Sequence, residues 1–134
     1  MLKFYRCNPC GNLIEIIDPS GVTPVCCGED MEELIPGTTD GAKEKHIPVC
    51  IEGSYDFPEP APMKTLTIHV GELPHPMTEA HYIPWIAIET TQGIYRKHLT
   101  PSQKPEVRFI LHKDEEVLEI YSYCNLHGLW VAIK

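Results

Sequence analysis

The chain has 134 residues, 43% of them hydrophobic, which suits one ordinary domain or a core of about 100 residues with a small appendage, and excludes a large multidomain enzyme. A formal net charge of -8 with no cluster of Lys and Arg excludes a phosphate-contacting nucleic-acid surface. No apolar run approaches the roughly 20 residues of a bilayer-crossing helix, so no membrane partner is expected.

The opening Met1-Leu2-Lys3-Phe4-Tyr5-Arg6-Cys7 has no apolar signal core, which predicts a cytoplasmic protein. Residues 1–36 hold Cys7, Cys10, Cys26 and Cys27 among short apolar pieces and turn-forming Pro and Gly. So short a segment builds too small a core to fold unaided, and a bound metal would supply the missing free energy. Adjacent Cys26 and Cys27 argue against a disulfide framework, since neighbouring cysteines seldom bridge each other. Cys7-x-x-Cys10 instead turns two sulfurs toward one ion, Gly11 permits the tight turn, and the vicinal pair completes a distorted tetrahedron. Four thiolates select zinc or iron, and ligand type alone does not choose between them.

Pro36-Gly37-Thr38-Thr39-Asp40-Gly41 reads as a linker, placing a second domain at residues 37–134. From Pro48 onward the pattern is β. Apolar residues alternate through Lys64–Val70, which puts His69 on the polar face with Thr65 and Thr67. Further strands are expected at 82–89, 107–111, 117–123 and 129–133, with turn signals between them and no sustained helical period. Several short strands with Pro-rich connections predict an all-β chain whose second domain is an antiparallel β-sandwich.

Seven histidines are many for this length, and their placement carries more weight than their number. His46 follows Glu44-Lys45, His75 and His81 bracket a short loop, and Cys124-Asn125-Leu126-His127 ends a β-run. A Cys-x-x-His turn presents a thiolate and an imidazole to one ion. His98 and His112 lie beside charged residues in expected loops, His69 lies on a polar strand face, and Cys50 has no ligand partner nearby. These four read as ordinary surface or core residues.

Together, Cys7-x-x-Cys10-Gly11, Cys26-Cys27-Gly28, Glu44-Lys45-His46, His75-Pro76-Met77, His81 and Cys124-Asn125-Leu126-His127-Gly128 strongly resemble the desulfoferrodoxins, two-iron superoxide reductases. The resemblance spans nearly the whole chain. It implies a desulforedoxin-like domain around an Fe(Cys)4 centre, an immunoglobulin-like sandwich around a catalytic iron, and a homodimer. His46, His75, His81 and His127 then become equatorial ligands of the second non-haem iron, with Cys124 axial and the sixth position open. The implied reaction is one-electron reduction of superoxide to hydrogen peroxide, fed by rubredoxin or a similar small carrier. It also gives Lys45 the part of attracting the anionic substrate and Glu44 that of an occasional ligand to oxidised iron. Read from the residues alone, Glu44 and Lys45 are an ordinary solvated turn. Two rival readings are a non-catalytic rubredoxin-like electron carrier, which leaves the histidines without purpose, and a zinc-stabilised interaction module.

Overall fold

Prolines and glycines divide the chain into short extended pieces, and the computed structural model describes residues 1–39, 41–54 and 63–134. Asp40, in the expected linker, lies outside the described residues. Two compact units result, Met1–Ile35 and Pro36–Lys134.

In the first unit β1 (Phe4–Arg6) lies between β2 (Leu13–Glu15) and β5 (Glu32–Glu33), while β3 (Val25–Cys26) and β4 (Glu29–Asp30) form a separate hairpin. Among the described residues its apolar cluster is Tyr5, Cys7 and Met31, with Ile16 and Cys26 packed alongside and Phe4 buried besides. So few side chains bury too little surface to offset the ordering of 35 residues, consistent with a metal-dependent unit.

The second unit begins with one helical turn, α1 (Lys43–His46), followed by β6 (Pro48–Ser54), β7 (Met63–Val70), β8 (Trp85–Thr90), β9 (Ile94–His98), β10 (Glu106–His112), β11 (Val117–Cys124) and β12 (Gly128–Ile133). One sheet has the order β10-β7-β6 and the other β12-β11-β8-β9, and every pairing is antiparallel. Leu66, Ile68 and Val70 of β7 and Val107, Phe109 and Leu111 of β10 meet Ile86, Ile88, Ile120 and Cys124 from the facing sheet. That interleaving makes the sandwich. β8 starts at Trp85 rather than at the expected Tyr82, because Pro84 brings no N–H to a ladder. His98 and His112 end strands rather than lying in loops. Among the described residues no helix is long and apolar enough to cross a membrane.

Two close approaches fix where α1 sits. Gly71, at φ +82, follows β7, and a Cβ there would stand 2.7 Å from the Lys45 backbone and 2.4 Å from the Leu73 carbonyl oxygen. Only glycine meets both the backbone angle and the contact. The Gly71 N–H donates to Ile47 (3.2 Å) and the Leu73 N–H to Glu44 (3.0 Å), tying α1 to the end of β7.

Candidate metal centres

Three chain segments bring histidines together in the second unit: α1 carries His46, the loop after β7 carries His75 and His81, and the end of β11 with the turn that follows it carries Cys124 and His127. One ligand atom from each of these five residues lies within 4.8 Å of all the others. The four rings form a square. Neighbouring centroids are 4.7 Å apart for His46–His75, 4.6 Å for His75–His81, 5.0 Å for His81–His127 and 4.8 Å for His127–His46, while the diagonal His46–His81 is 6.5 Å.

The ring nitrogens are oriented by the backbone. His46 Nδ1 is 2.7 Å from the Ala42 carbonyl and His75 Nδ1 is 2.7 Å from that of Pro76. A carbonyl only accepts, so each Nδ1 carries the proton and each Nε2 presents a lone pair. Those two Nε2 atoms are 3.2 Å apart, and His46 Nε2 is 3.1 Å from His127 Nδ1. Lone pairs facing each other at that distance need a cation between them. Metal–nitrogen bonds of about 2.1 Å at right angles would put neighbouring nitrogens about 3.0 Å apart, close to the observed spacing. His81 Nε2 is buried with no hydrogen-bond partner, a cost that a metal bond removes.

Electrostatics favour neutral imidazoles. Burial pushes His75 down to about 4, and burial likewise lowers His46 and His81, assisted by His127 and the Lys45 charge. Neutral rings are the metal-binding form. Cys124 is fully buried, and burial pushes its thiol up against the opposing N–H groups of His127 and Leu126. The His127 N–H points at Cys124 Sγ across 3.4 Å. A bound cation would reverse the balance and leave a thiolate.

In the first unit Cys7, Cys10, Cys26 and Cys27 form the other convergent set. None is in a disulfide. Cys10 and Cys26 sulfurs are 3.7 Å apart and Cys26 and Cys27 3.9 Å. A tetrahedron with metal–sulfur bonds of about 2.3 Å has edges of about 3.8 Å, whereas a disulfide would need about 2.05 Å. The Cys7 N–H donates to Asn12 and the Gly11 N–H to Cys7, closing the turn, and Cys27 takes φ +52 to swing its sulfur inward. The backbone at Asn12 pulls Cys10 down to about 7, while Cys10, then Cys7 and Cys26, push Cys27 up to about 12. Four thiols this close do not ionise together without a cation, and the residues present fit one.

The sequence profile "Desulfoferrodoxin" matches residues 38–133 and "Desulfoferrodoxin, N-terminal domain" matches residues 1–34. The chain belongs to the desulfoferrodoxin family. It is 42% identical over 129 residues to the desulfoferrodoxin of Syntrophotalea carbinolica, covering 96% of this chain and 94% of that one. It is 32% identical over 104 residues to a superoxide reductase of Pyrococcus abyssi, covering 68% of this chain and 86% of that one. The crystal structure of the superoxide reductase from Treponema pallidum superposes with a TM-score of 0.77 at 34% identity, over 98% of this chain and 97% of that one. The four-cysteine and four-histidine-one-cysteine sets are consistent with the two iron sites of desulfoferrodoxins.

In this member of the family Glu44 and Lys45 are exposed on α1. Glu44 lines a cleft of about 310 Å³ with Lys43, Ile47, Val49 and Glu72, whereas the Lys45 charge reaches His46 and His81. His69, on the outer face of β7, donates from Nδ1 to the Gly71 carbonyl (3.1 Å), and Cys50 packs half-buried against the sandwich core. Among the described residues, neither belongs to a metal-binding group. Sequence reasoning missed the supports of the site. Ser122, Trp130, Thr39 and Gly41 all touch His46 or His127. Only Thr39 and Gly41, in a run of turn formers, gave any local signal, and that run read as linker.

Proposed function

We propose that the chain is a superoxide reductase, reducing superoxide with one electron and two protons to hydrogen peroxide at the His4Cys site. The square of four imidazoles with one thiol carries the reading. A pure electron carrier needs only the four cysteines and leaves that square unexplained.

His46, His75 and His81 through Nε2, His127 through Nδ1 and Cys124 through Sγ would hold the second iron; Cys7, Cys10, Cys26 and Cys27 would hold the first. Ferrous iron held by these residues would supply the transferable electron and a place for a small anion, and the Cys124 thiolate would add electron density to it. The chain's own residues do the rest. Ala42 and Pro76 carbonyls hold the protons of His46 and His75 on Nδ1, so their Nε2 lone pairs stay directed inward. Burial keeps both imidazoles neutral. Lys45 draws superoxide toward a protein whose net charge of -8 otherwise repels it. Glu44, on the same turn, is the candidate ligand to the oxidised site.

Residues 1–36 would form the desulforedoxin-like domain and residues 37–134 the reductase domain, supported by the separate apolar clusters of the two units. Exposed Ile17, Val22 and Val25 on so small a unit support a homodimer. The reaction consumes an electron per turnover, which calls for a reductant such as rubredoxin, and a cytoplasmic setting suits both the donor and the reduced thiols.

The test is iron analysis with visible spectra, then rapid mixing of the reduced protein with superoxide. Two irons per chain and one peroxide per superoxide are expected. Replacing Cys124 with Ser should abolish the thiolate-to-iron absorption of the second site and leave that of the first. One iron per chain, or oxygen evolved with the peroxide in dismutase stoichiometry, would overturn the reading.

A further inference from the structure

α1 is a single turn, and its N-cap Ala42 makes no side-chain cap. One turn is far below the roughly 12–15 residues at which a helix holds itself in water, so α1 does not fix the His46 ring by its own stability. A pair of residues across β11 and β12 supplies what it lacks. Ser122 and Trp130 stand opposite each other in register, so their side chains share one face of the sheet. Buried Ser122 donates its hydroxyl to the His46 carbonyl (2.8 Å).

Trp130, 2% exposed, lays its indole over the His46 imidazole with centroids 4.8 Å apart and planes 23° from parallel. Its Nε1–H donates to the His127 carbonyl at 3.1 Å, an oxygen that also accepts the Thr39 hydroxyl. One side chain therefore holds the ring plane of one imidazole residue and the main chain of another. Both residues are neighbours on the square, their inward nitrogens 3.1 Å apart.

We infer that Trp130 is a positioning residue of the His4Cys site, setting the direction of the His46 lone pair by stacking and the placement of His127 through its indole N–H. This rests on the proposed reading of His46 and His127 as metal ligands. A lone pair binds best along its own axis, so a ring free to tilt gives a weaker and altered ligand field. Groups that orient metal ligands are commonly worth about 10–100-fold in metal affinity. A tryptophan that merely fills space would affect global stability and nothing specific to the metal.

The experiment compares the iron-loaded full chain with Trp130→Leu, which removes stack and N–H, and Trp130→Phe, which keeps a ring over His46 and removes the N–H. Three quantities are read: the rate of iron release from the histidine site to a ferrous chelator, the ferric/ferrous midpoint potential, and the rhombicity of the ferric resonance. Release should be at least about tenfold faster in the Leu variant, with a shifted potential and a changed resonance, and intermediate in the Phe variant. The absorption of the four-cysteine site should not change. Wild-type release and potential in the Leu variant, or in the Phe variant if Leu does not fold, would overturn the inference, whatever happens to the melting temperature. A wild-type chain that takes up no iron on its histidines would defeat the proposed function itself, and this inference with it.

Discussion

Replacing Gly41 with Ala adds one methyl group at the point where the two histidine segments and Trp130 meet. A Cβ built there stands 3.1 Å from the Trp130 ring, 3.2 Å from His46 Cε1 and 3.3 Å from His127 Cβ. Comfortable carbon–carbon contacts lie at about 3.5–4.0 Å, so each neighbour must retreat by a few tenths of an ångström. None is the free end of a flexible chain. Two are rigid rings and the third is anchored to a turn, so the strain falls on the ligand positions. The added methyl meets all three at once, so the effect is steric. Overpacking of this kind costs about 1–3 kcal/mol. Without metal the rings can shift to relieve it, whereas metal bonds forbid the shift, and the cost therefore appears in affinity. A 1–3 kcal/mol cost corresponds to roughly 5- to 150-fold weaker iron binding. Competition with a ferrous chelator, followed by the absorption of the histidine site, measures this, with the four-cysteine site as internal reference. Gly37→Ala is the control. Gly37 has φ +71 and meets Trp130 only at 3.9 Å, so it should lose about 1–2 kcal/mol of folding stability to backbone strain while holding iron normally. A Gly41→Ala protein that binds and releases iron as wild type does would refute the steric argument.

Replacing Cys10 with Ser should empty and bleach the four-cysteine site while superoxide reduction continues, because the proposed histidine ligands all lie in the other compact unit; loss of both irons would contradict the partition. Lys45→Ala should keep both irons but slow the second-order reaction with superoxide roughly tenfold, within the range of electrostatic steering, and flatten its salt dependence. A variant that reacts as fast as wild type at both ionic strengths, with the same salt response, would dismiss Lys45 as the steering charge. Glu115 is buried at 3% exposure at the strand ends and accepts hydrogen bonds from the hydroxyls of Thr90 and Tyr95. Burial pushes its carboxyl up, but those two bonds, with the backbone and charge of His112, together offset it and hold it below its ordinary value. A depressed folded value means the carboxylate stabilises the fold above its unfolded pKa near 4.3, and that contribution fades as pH falls through the folded value. Glu115→Gln should therefore cost about 2 kcal/mol at pH 7, the difference between two charged and two neutral hydrogen bonds, and lose less stability than wild type on acidification. Urea unfolding at pH 7 and pH 3.5 checks the pattern, and parallel losses would refute it.

Local pattern was enough to read β7, because Leu66, Ile68 and Val70 alternate with polar residues on a strand buried on one face. β6 was not legible, since Pro48 and Gly53 signal breaks. Yet Pro48 is its first residue, and the Cβ that Gly53 lacks would stand 2.9 Å from the Thr65 hydroxyl. β9 escaped for the opposite reason: its residues are mostly exposed and charged, and pairing with β8 holds it rather than burial. The candidate ligands stood out because cysteine and histidine carry chemistry wherever they fall. Their supports did not. Ser122 and Trp130 are commonplace strand residues whose importance comes from pairing with each other and facing His46, and Gly71 matters through its positive φ and the Lys45 and Leu73 backbones that pass beside it. Such roles belong to contacts between distant segments and leave no local periodicity.

The two candidate centres differ in how much chain must exist before each can be filled. Cys10 and Cys26 are 16 residues apart, whereas His46 and His127 are separated by 81. The entropy of closing the longer loop adds only about 1.4 kcal/mol, so loop length is the smaller obstacle. The larger one is that His127 is positioned by a hairpin made of the last two strands. As the chain leaves the ribosome, the cysteine set is complete once Cys27 has emerged and can take up metal while synthesis continues. The histidine set waits until β12 has been made and has paired with β11, so filling that site requires a hairpin that the cysteine set does without.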